Sequence, residues 1–380
     1  MSQAHQIETA RAAVRAPGQV AGRGGALDAL RFVAALLIVV YHFGANAPVP
    51  LDSLHPVFSR GYLATDFFLI LSGYVLGRAY GRQVLGGRLG AGAFLAKRIQ
   101  RLWPAQVVVL TLLLAIVIMA GVVGLHSKNL EHYTAQAFLM QLFFVQAWGI
   151  PGGGGWNHQS WSLSALVVCY ALFPMIWGWL ARLRSPAALL SLGFIGLMVG
   201  DLLVMAVSGR PLYDIGFEYG VVRALPMFLL GLCIARVVED GKTPVLLAQG
   251  LGWLSAGALV LLQVAGRFDL VSLAAIAAII LACGVVPVAR PLKMIEEGAK
   301  LSFSLFITHA ITGLVWFGVT DILTAQLDLP VAVQWVLWGL SVPAALLFAG
   351  LFHVLVDGPL QAWIARRLKA RRPAASQLPA

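Results

Sequence analysis

Arg31 and His42 bracket the stretch RFVAALLIVVYH, two ionisable groups separated by ten residues that are almost all apolar. An imidazole can take up and release a proton near neutral pH, and a guanidinium keeps its charge throughout. Eleven residues of α-helix advance about 16 Å and turn through about 1100°, so the two side chains lie within about 20° of each other on one face, at two depths. Asp28, three residues before Arg31, shares that face and can orient the guanidinium as an ion pair. An unpaired charge facing lipid is costly, so one reading puts both groups on a hydrated, protein-lined cavity. The other has Arg31 snorkelling to phospholipid headgroups and His42 capping its helix at the interface. The next apolar run, GYLATDFFLILSGYVLGRAYG, again embeds polar residues, Asp66 and Ser72, and its Gly73 permits close helix approach. Two such segments in succession favour the cavity.

The elements that must position these groups follow from composition. Of 380 residues, 59% are hydrophobic and 11% charged, with mean hydropathy +0.84, whereas a soluble domain is about a quarter charged. The fold class read from this is all-α, a polytopic transmembrane helical bundle. Apolar windows fall at 27–46, 61–77, 103–124, 161–180, 186–207, 221–236, 244–265, 270–289, 301–322 and 331–355, which gives about ten helices. With the N-terminus in the cytoplasm, 21 of the 27 Lys and Arg residues fall in cytoplasmic segments. Only Arg60, Lys128, Arg210 and Arg267 lie outside, and Arg31 and Arg223 remain within spans. That asymmetry predicts both termini in the cytoplasm. QAFLMQLFFVQAW is read as a short helix on or dipping into the outer face, because an eleventh span would invert every later loop; the glycine run GIPGGGGWNHQ follows it.

Three segments result: a cytoplasmic tail at 1–26, a membrane-embedded domain at 27–360 and a basic cytoplasmic tail at 361–380. The first lacks the basic-then-apolar order of a secretory signal. The run ARRLKARR is expected to meet anionic membrane lipids rather than nucleic acid. Cys169, Cys233 and Cys283 lie in apolar runs without a CxxC pattern, so neither a disulfide frame nor a metal site is expected.

LDALRFVAALLIVVYHF, with its arginine, ten-residue gap and histidine, resembles the signature of the bacterial acyltransferase 3 family of integral membrane O-acyltransferases. GYLATDFFLILSGYVLG is similar to that family's second helix, and KRIQRLWPA to its basic motif before the third. NHQSWSLSALVVCYALFP resembles its Asn and Trp-Ser-Leu-Ser segment, LSFSLFITHAI its late histidine segment, and HVLVDGPL its closing acidic-x-Pro motif. The six matches run in order from about residue 27 to 360. One departure stands out: the family usually has a glutamate two residues after Trp-Ser-Leu-Ser, and this chain has Leu166. Another acid serves, the position has been altered, or the chain binds substrates without turnover.

The resemblance implies an acyl-CoA donor, usually acetyl-CoA, and as acceptor a hydroxyl of a cell-surface glycan or lipid-linked saccharide across the bacterial inner membrane. Arg31, Arg98 and Arg101 suit the donor phosphates, with Ser72 beside them. His42 would act as general base, by direct transfer or through an acetyl-histidine. His309, about 12 Å into its span, would stabilise developing charge or hold the acceptor, or simply bond between helices. Asp66, Asn157, Trp161 and Arg223 are candidates for binding the acceptor, although Arg223 could instead pair with Glu218 and Asp66 could mark the outer interface. Trp156 and Tyr170 could stack on sugars or anchor the interface. His353 and Asp357 read as structural, with Pro359 ending their helix, and His55, His126, His132 and His158 as solvated residues of outer loops. A transporter or flippase, and a silent glycan-binding protein, are the rival functions.

Overall fold

The computed structural model describes residues 24–124 and 132–370. Residues 1–23 of the expected N-terminal tail, the end of the C-terminal tail, His126 and Lys128 lie outside the described residues. Each of the ten apolar windows is a helix. In chain order the α-helices are α1 (Ala26–Gly44), α2 (Leu51–Leu54), α3 (Tyr62–Leu85), α4 (Ala91–Val122), α5 (Ala135–Leu142), α6 (Trp161–Leu180) and α7 (Pro186–Ser208). They continue with α8 (Gly220–Asp240), α9 (Val245–Ala265), α10 (Asp269–Val285), α11 (Lys293–Leu327), α12 (Val331–Phe352) and α13 (Gly358–Ala370). Among the described residues there is no strand, and eight helical stretches are long and apolar enough to cross a membrane. Of the other two windows, α3 carries Asp66, Arg78 and Arg82, and α10 has 17 residues. The chain is an all-α, polytopic helical bundle.

The α1 and α11 helices begin at the same end of the bundle, where Leu292 N–H donates to the Gly24 carbonyl at 3.1 Å. Alternation of the helices brings Arg98, Arg101 and the segment after α12 to this end too, which we call the basic end. At the centre, α8 packs on α3, α6 and α7. A Cβ on Gly73 would lie 2.2 Å from the Phe228 carbonyl oxygen, and one on Gly231 1.9 Å from that of Ile70. The α3–α8 crossing therefore requires both positions to lack a side chain. A second apolar cluster, including Ala35, Val39, Leu305 and Ala349, clamps α1 between α11 and α12.

The segment 135–160 is no eleventh span. Its helix α5 has 8 residues, is capped by the Thr134 hydroxyl, and leads into the glycine run. Gly155 has φ +84, and a Cβ there would lie 1.8 Å from the His132 carbonyl oxygen, so only glycine lets this loop fold back on itself.

The expectation for Pro359 is corrected. Helix continues through it into α13, because the backbone widens to a π turn over His353–Asp357 immediately before. A π turn relieves the clash between a proline ring and the carbonyl four residues earlier.

Candidate active site

His42 lies 16 residues after the first residue of α1, and His309 16 residues after the first of α11. Two helices starting at one end therefore raise both imidazoles about 24 Å, to the same height. Nδ1 of His42 is 3.1 Å from Nε2 of His309, with the rings stacked at 26° and centroids 5.0 Å apart. Nδ1 of His309 is 3.2 Å from the Leu305 carbonyl oxygen. A carbonyl only accepts, so in the neutral pair that nitrogen carries the proton and Nε2 of His309 is an acceptor. His42 must then donate from Nδ1. Its Nε2 is then the nitrogen that keeps a lone pair.

Both histidines line a cavity of about 1420 Å³ that extends away from the basic end. Its walls are the part of α11 beyond His309, the second half of α4, the glycine-rich loop up to Gln159, and Phe217 and Glu218. Arg31, Arg98 and Arg101 do not line it, so the guanidiniums and this chamber lie on opposite sides of the imidazole pair.

Arg31 makes the expected ion pair with Asp28, 3.3 Å, and keeps 39% of its side chain exposed. Arg101 is held in a fork: Nη1 and Nη2 donate to the two Asp357 oxygens at 2.7 and 3.2 Å, and its guanidinium lies 4.5 Å from the Phe303 ring centroid. Asp357, read as structural, thus orients an arginine that is still 36% exposed. Arg98 donates to the Tyr80 hydroxyl at 2.7 Å and lies 4.8 Å from that ring, while its Nε is buried without a partner. Ser72 lies on α3 beside the Tyr170 hydroxyl.

The four candidates for acceptor binding are placed differently. Asp66 and Arg223 bind each other: Nε and Nη2 of Arg223 donate to the two carboxylate oxygens at 2.8 and 2.9 Å, and both side chains are buried. The partner of Arg223 is therefore Asp66 and not Glu218, because α8 packs along α3. Trp161 faces this pair, its ring 5.4 Å from the Arg223 guanidinium. Asn157 is buried, donating from Nδ2 to Gln106 Oε1 at 3.1 Å and to the Ile307 carbonyl at 3.3 Å. With its backbone N–H held by Gln141 at 2.9 Å, it ties the loop to α11 two residues before His309. None of the four lines the chamber. They fix the elements around it.

The family model described as "Acyltransferase domain" matches residues 25–354, most of the chain. The chain belongs to the acyltransferase 3 family. A relative in Rhizobium radiobacter, "Protein 2 in picA locus", is 33% identical over 187 residues, 46% of this chain and 92% of that protein. No solved structure matches.

In this acyltransferase, Leu166 is buried in the main apolar cluster, so no acid occupies that position. Tyr170 is also in that core, 6.2 Å from the Phe228 ring, and Trp156 is locked by donation to the Thr134 carbonyl at 2.9 Å, although it lines the chamber. His158 is corrected from a solvated residue to a half-buried, chamber-lining one; His132 is exposed as expected and also lines the chamber, whereas His55 caps a turn by accepting from Val57 N–H at 3.1 Å. Sequence reasoning missed His158, Gln159 and Glu218. Their signal was slight, since the first two follow a glycine run without periodicity and Glu218 lies in a short 3₁₀ turn.

Proposed function

We propose that this multi-pass membrane acyltransferase transfers an acyl group, acetyl in the first instance, from acyl-CoA held at the basic end to a saccharide hydroxyl that enters the chamber from the opposite end. One observation carries the proposal: a stacked imidazole pair, with a lone pair on Nε2 of His42, forms the floor of a large chamber and has guanidiniums behind it. Phe303, under Arg101, precedes His309 by six residues, or about 9 Å of helix, and Arg31 precedes His42 by about 16 Å. A long, thin pantetheine arm suits such a separation. The exposed Arg31 and Arg101 and the partnerless Nε of Arg98 fit a phosphorylated nucleotide.

The chemistry follows from the tautomers. Nε2 of His42 takes the hydroxyl proton as the sugar oxygen attacks the thioester carbonyl; the C–S bond breaks, and the imidazolium returns the proton to the departing thiolate. His309, fixed by the Leu305 carbonyl, accepts from Nδ1–H of His42 and so holds its ring and tautomer. His309 is on this reading a positioning residue that also touches the chamber. The lysine and arginine asymmetry supports a basic end facing the cytoplasm, with the protein in the bacterial inner membrane.

Labelled acetyl-CoA given to membranes containing the protein tests the proposal. Label appearing on saccharide supports it. Movement of solute without acyl transfer would mark a transporter, and neither event would mark a silent binding protein; both results would overturn it.

A further inference from the structure

Three side chains on the chamber wall carry polar atoms without a hydrogen bond among the described residues, one of those atoms fully buried. Oε1 of Gln159 is buried without a hydrogen bond. The imidazole of His158, half-buried, packs edge-on against Phe217 at 4.4 Å and makes no hydrogen bond among the described residues. The half-buried carboxylate of Glu218, next to Phe217, likewise has no partner among them. All three line the chamber together with His42 and His309.

Their backbone, by contrast, is firmly held. Asn157 is fixed by Gln141 and Gln106, and Ser160 Oγ accepts from Gln106 at 3.1 Å and Gln146 at 3.0 Å. On the facing strand of loop, Gly149 N–H donates to the Glu218 carbonyl at 2.7 Å. The side chains are thus presented by a rigid frame while their own polar atoms are left unused, which is the arrangement of a preformed binding wall.

The chemistry of those atoms is one-sided. A carboxylate and an amide oxygen only accept hydrogen bonds, and a neutral imidazole adds one lone pair and one N–H. Among the described residues lining the chamber there is no lysine or arginine. Such a wall suits a ligand rich in donors, and repels one that brings a carboxylate or phosphate.

We propose that Glu218, His158 and Gln159 form the acceptor subsite, and that it takes an uncharged, hydroxyl-rich sugar unit and discriminates against uronate and phosphorylated units. This rests on the acyl-transfer function proposed above and gives it an acceptor class. Neutral hydroxyls would donate to Glu218 and Gln159, with His158 covering a third hydroxyl, and one further hydroxyl would reach Nε2 of His42.

The test uses the full-length protein in membranes with labelled acetyl-CoA and a matched panel of trisaccharides ending in glucose, glucuronate or glucose 6-phosphate. Thioester consumption is measured alongside label transfer. The expected result is transfer to the neutral member, with KM for the two anionic members higher by about tenfold or more. Glu218→Gln should narrow that ratio, and His158→Gln should raise the KM for the neutral member with a smaller change in kcat. Equal use of anionic members, or an unchanged ratio in Glu218→Gln, overturns the inference. Thioester consumption without transfer to any member also overturns it and leaves the acyl-transfer proposal standing. No thioester consumption at all would sink that proposal as well. A protein eluting as a single species from size exclusion after each substitution separates binding effects from misfolding.

Discussion

His42 and His309 meet at 3.1 Å because two parallel helices, α1 and α11, start together and carry their imidazoles at the same sixteen-residue offset. The Leu305 carbonyl fixes the proton on one ring, and the contact between rings fixes it on the other. Two adjacent imidazoles thereby acquire different roles.

Removing the base should matter most. His42→Ala is expected to lower kcat for acyl transfer by about 10² to 10⁴, the usual contribution of a positioned general base, with little change in donor affinity. Transfer kinetics beside equilibrium donor binding provide the check. His309→Ala should lower kcat through loss of ring orientation, and His309→Gln, whose amide oxygen can accept from Nδ1–H of His42, should recover part of it. Equal damage from both substitutions would deny His309 its orienting role.

Arg101 and Asp357 act as a unit. Arg101→Lys loses the fork, because an ammonium cannot donate in parallel to two carboxylate oxygens. The expected effect is a donor KM higher by about tenfold with kcat nearly retained. Asp357→Asn should act in the same direction more weakly. A titration of rate against acyl-CoA concentration distinguishes this from a loss of turnover.

The Asp66–Arg223 pair is structural in its first effect. Asp66→Asn leaves a buried guanidinium without its counter-charge, a change that costs about 3–5 kcal/mol when such a pair is broken from one side. Thermal unfolding in detergent should show it. Replacing both, Asp66→Leu with Arg223→Met, should cost less than either single change, and a double-mutant cycle measures the difference. Additive losses would show that the two groups are not coupled.

Leu166→Glu installs the family's carboxylate in this chain. Leu166 packs among apolar side chains in the main core, so the new group would be desolvated without a partner. We expect a lower unfolding temperature and no gain in turnover. A rise in kcat, measured against the unsubstituted protein, would show instead that the missing acid limits the reaction.

Much of this was legible in the sequence. The ten helices follow from apolar windows, the Asp28–Arg31 pair from a spacing of three, a close helix approach from Gly73, and the placing of His42 on a protein-lined cavity from the cost of polar groups in lipid. What periodicity could not supply was which helices are neighbours. Arg223 could be assigned to Glu218 by proximity in sequence, whereas packing of α8 along α3 gave it Asp66, 157 residues away. The hold on Asn157 Nδ2 was hidden for the same reason, because its partners Gln106 and Ile307 come from two distant helices. His158 and Glu218 sit on irregular segments, where residue spacing carries no facing information. Pro359 misled for a related reason: a π turn can absorb a proline that would end an ordinary helix.

The most direct measurement is transfer across a sealed membrane. Vesicles with the basic end outward would receive labelled acetyl-CoA outside and a neutral trisaccharide inside. The expected result is label on the enclosed sugar with the unsubstituted protein and background levels with His42→Ala. Full transfer by His42→Ala, or label confined to sugar added on the same side as the donor, would contradict a meeting of donor and acceptor at this imidazole from opposite ends.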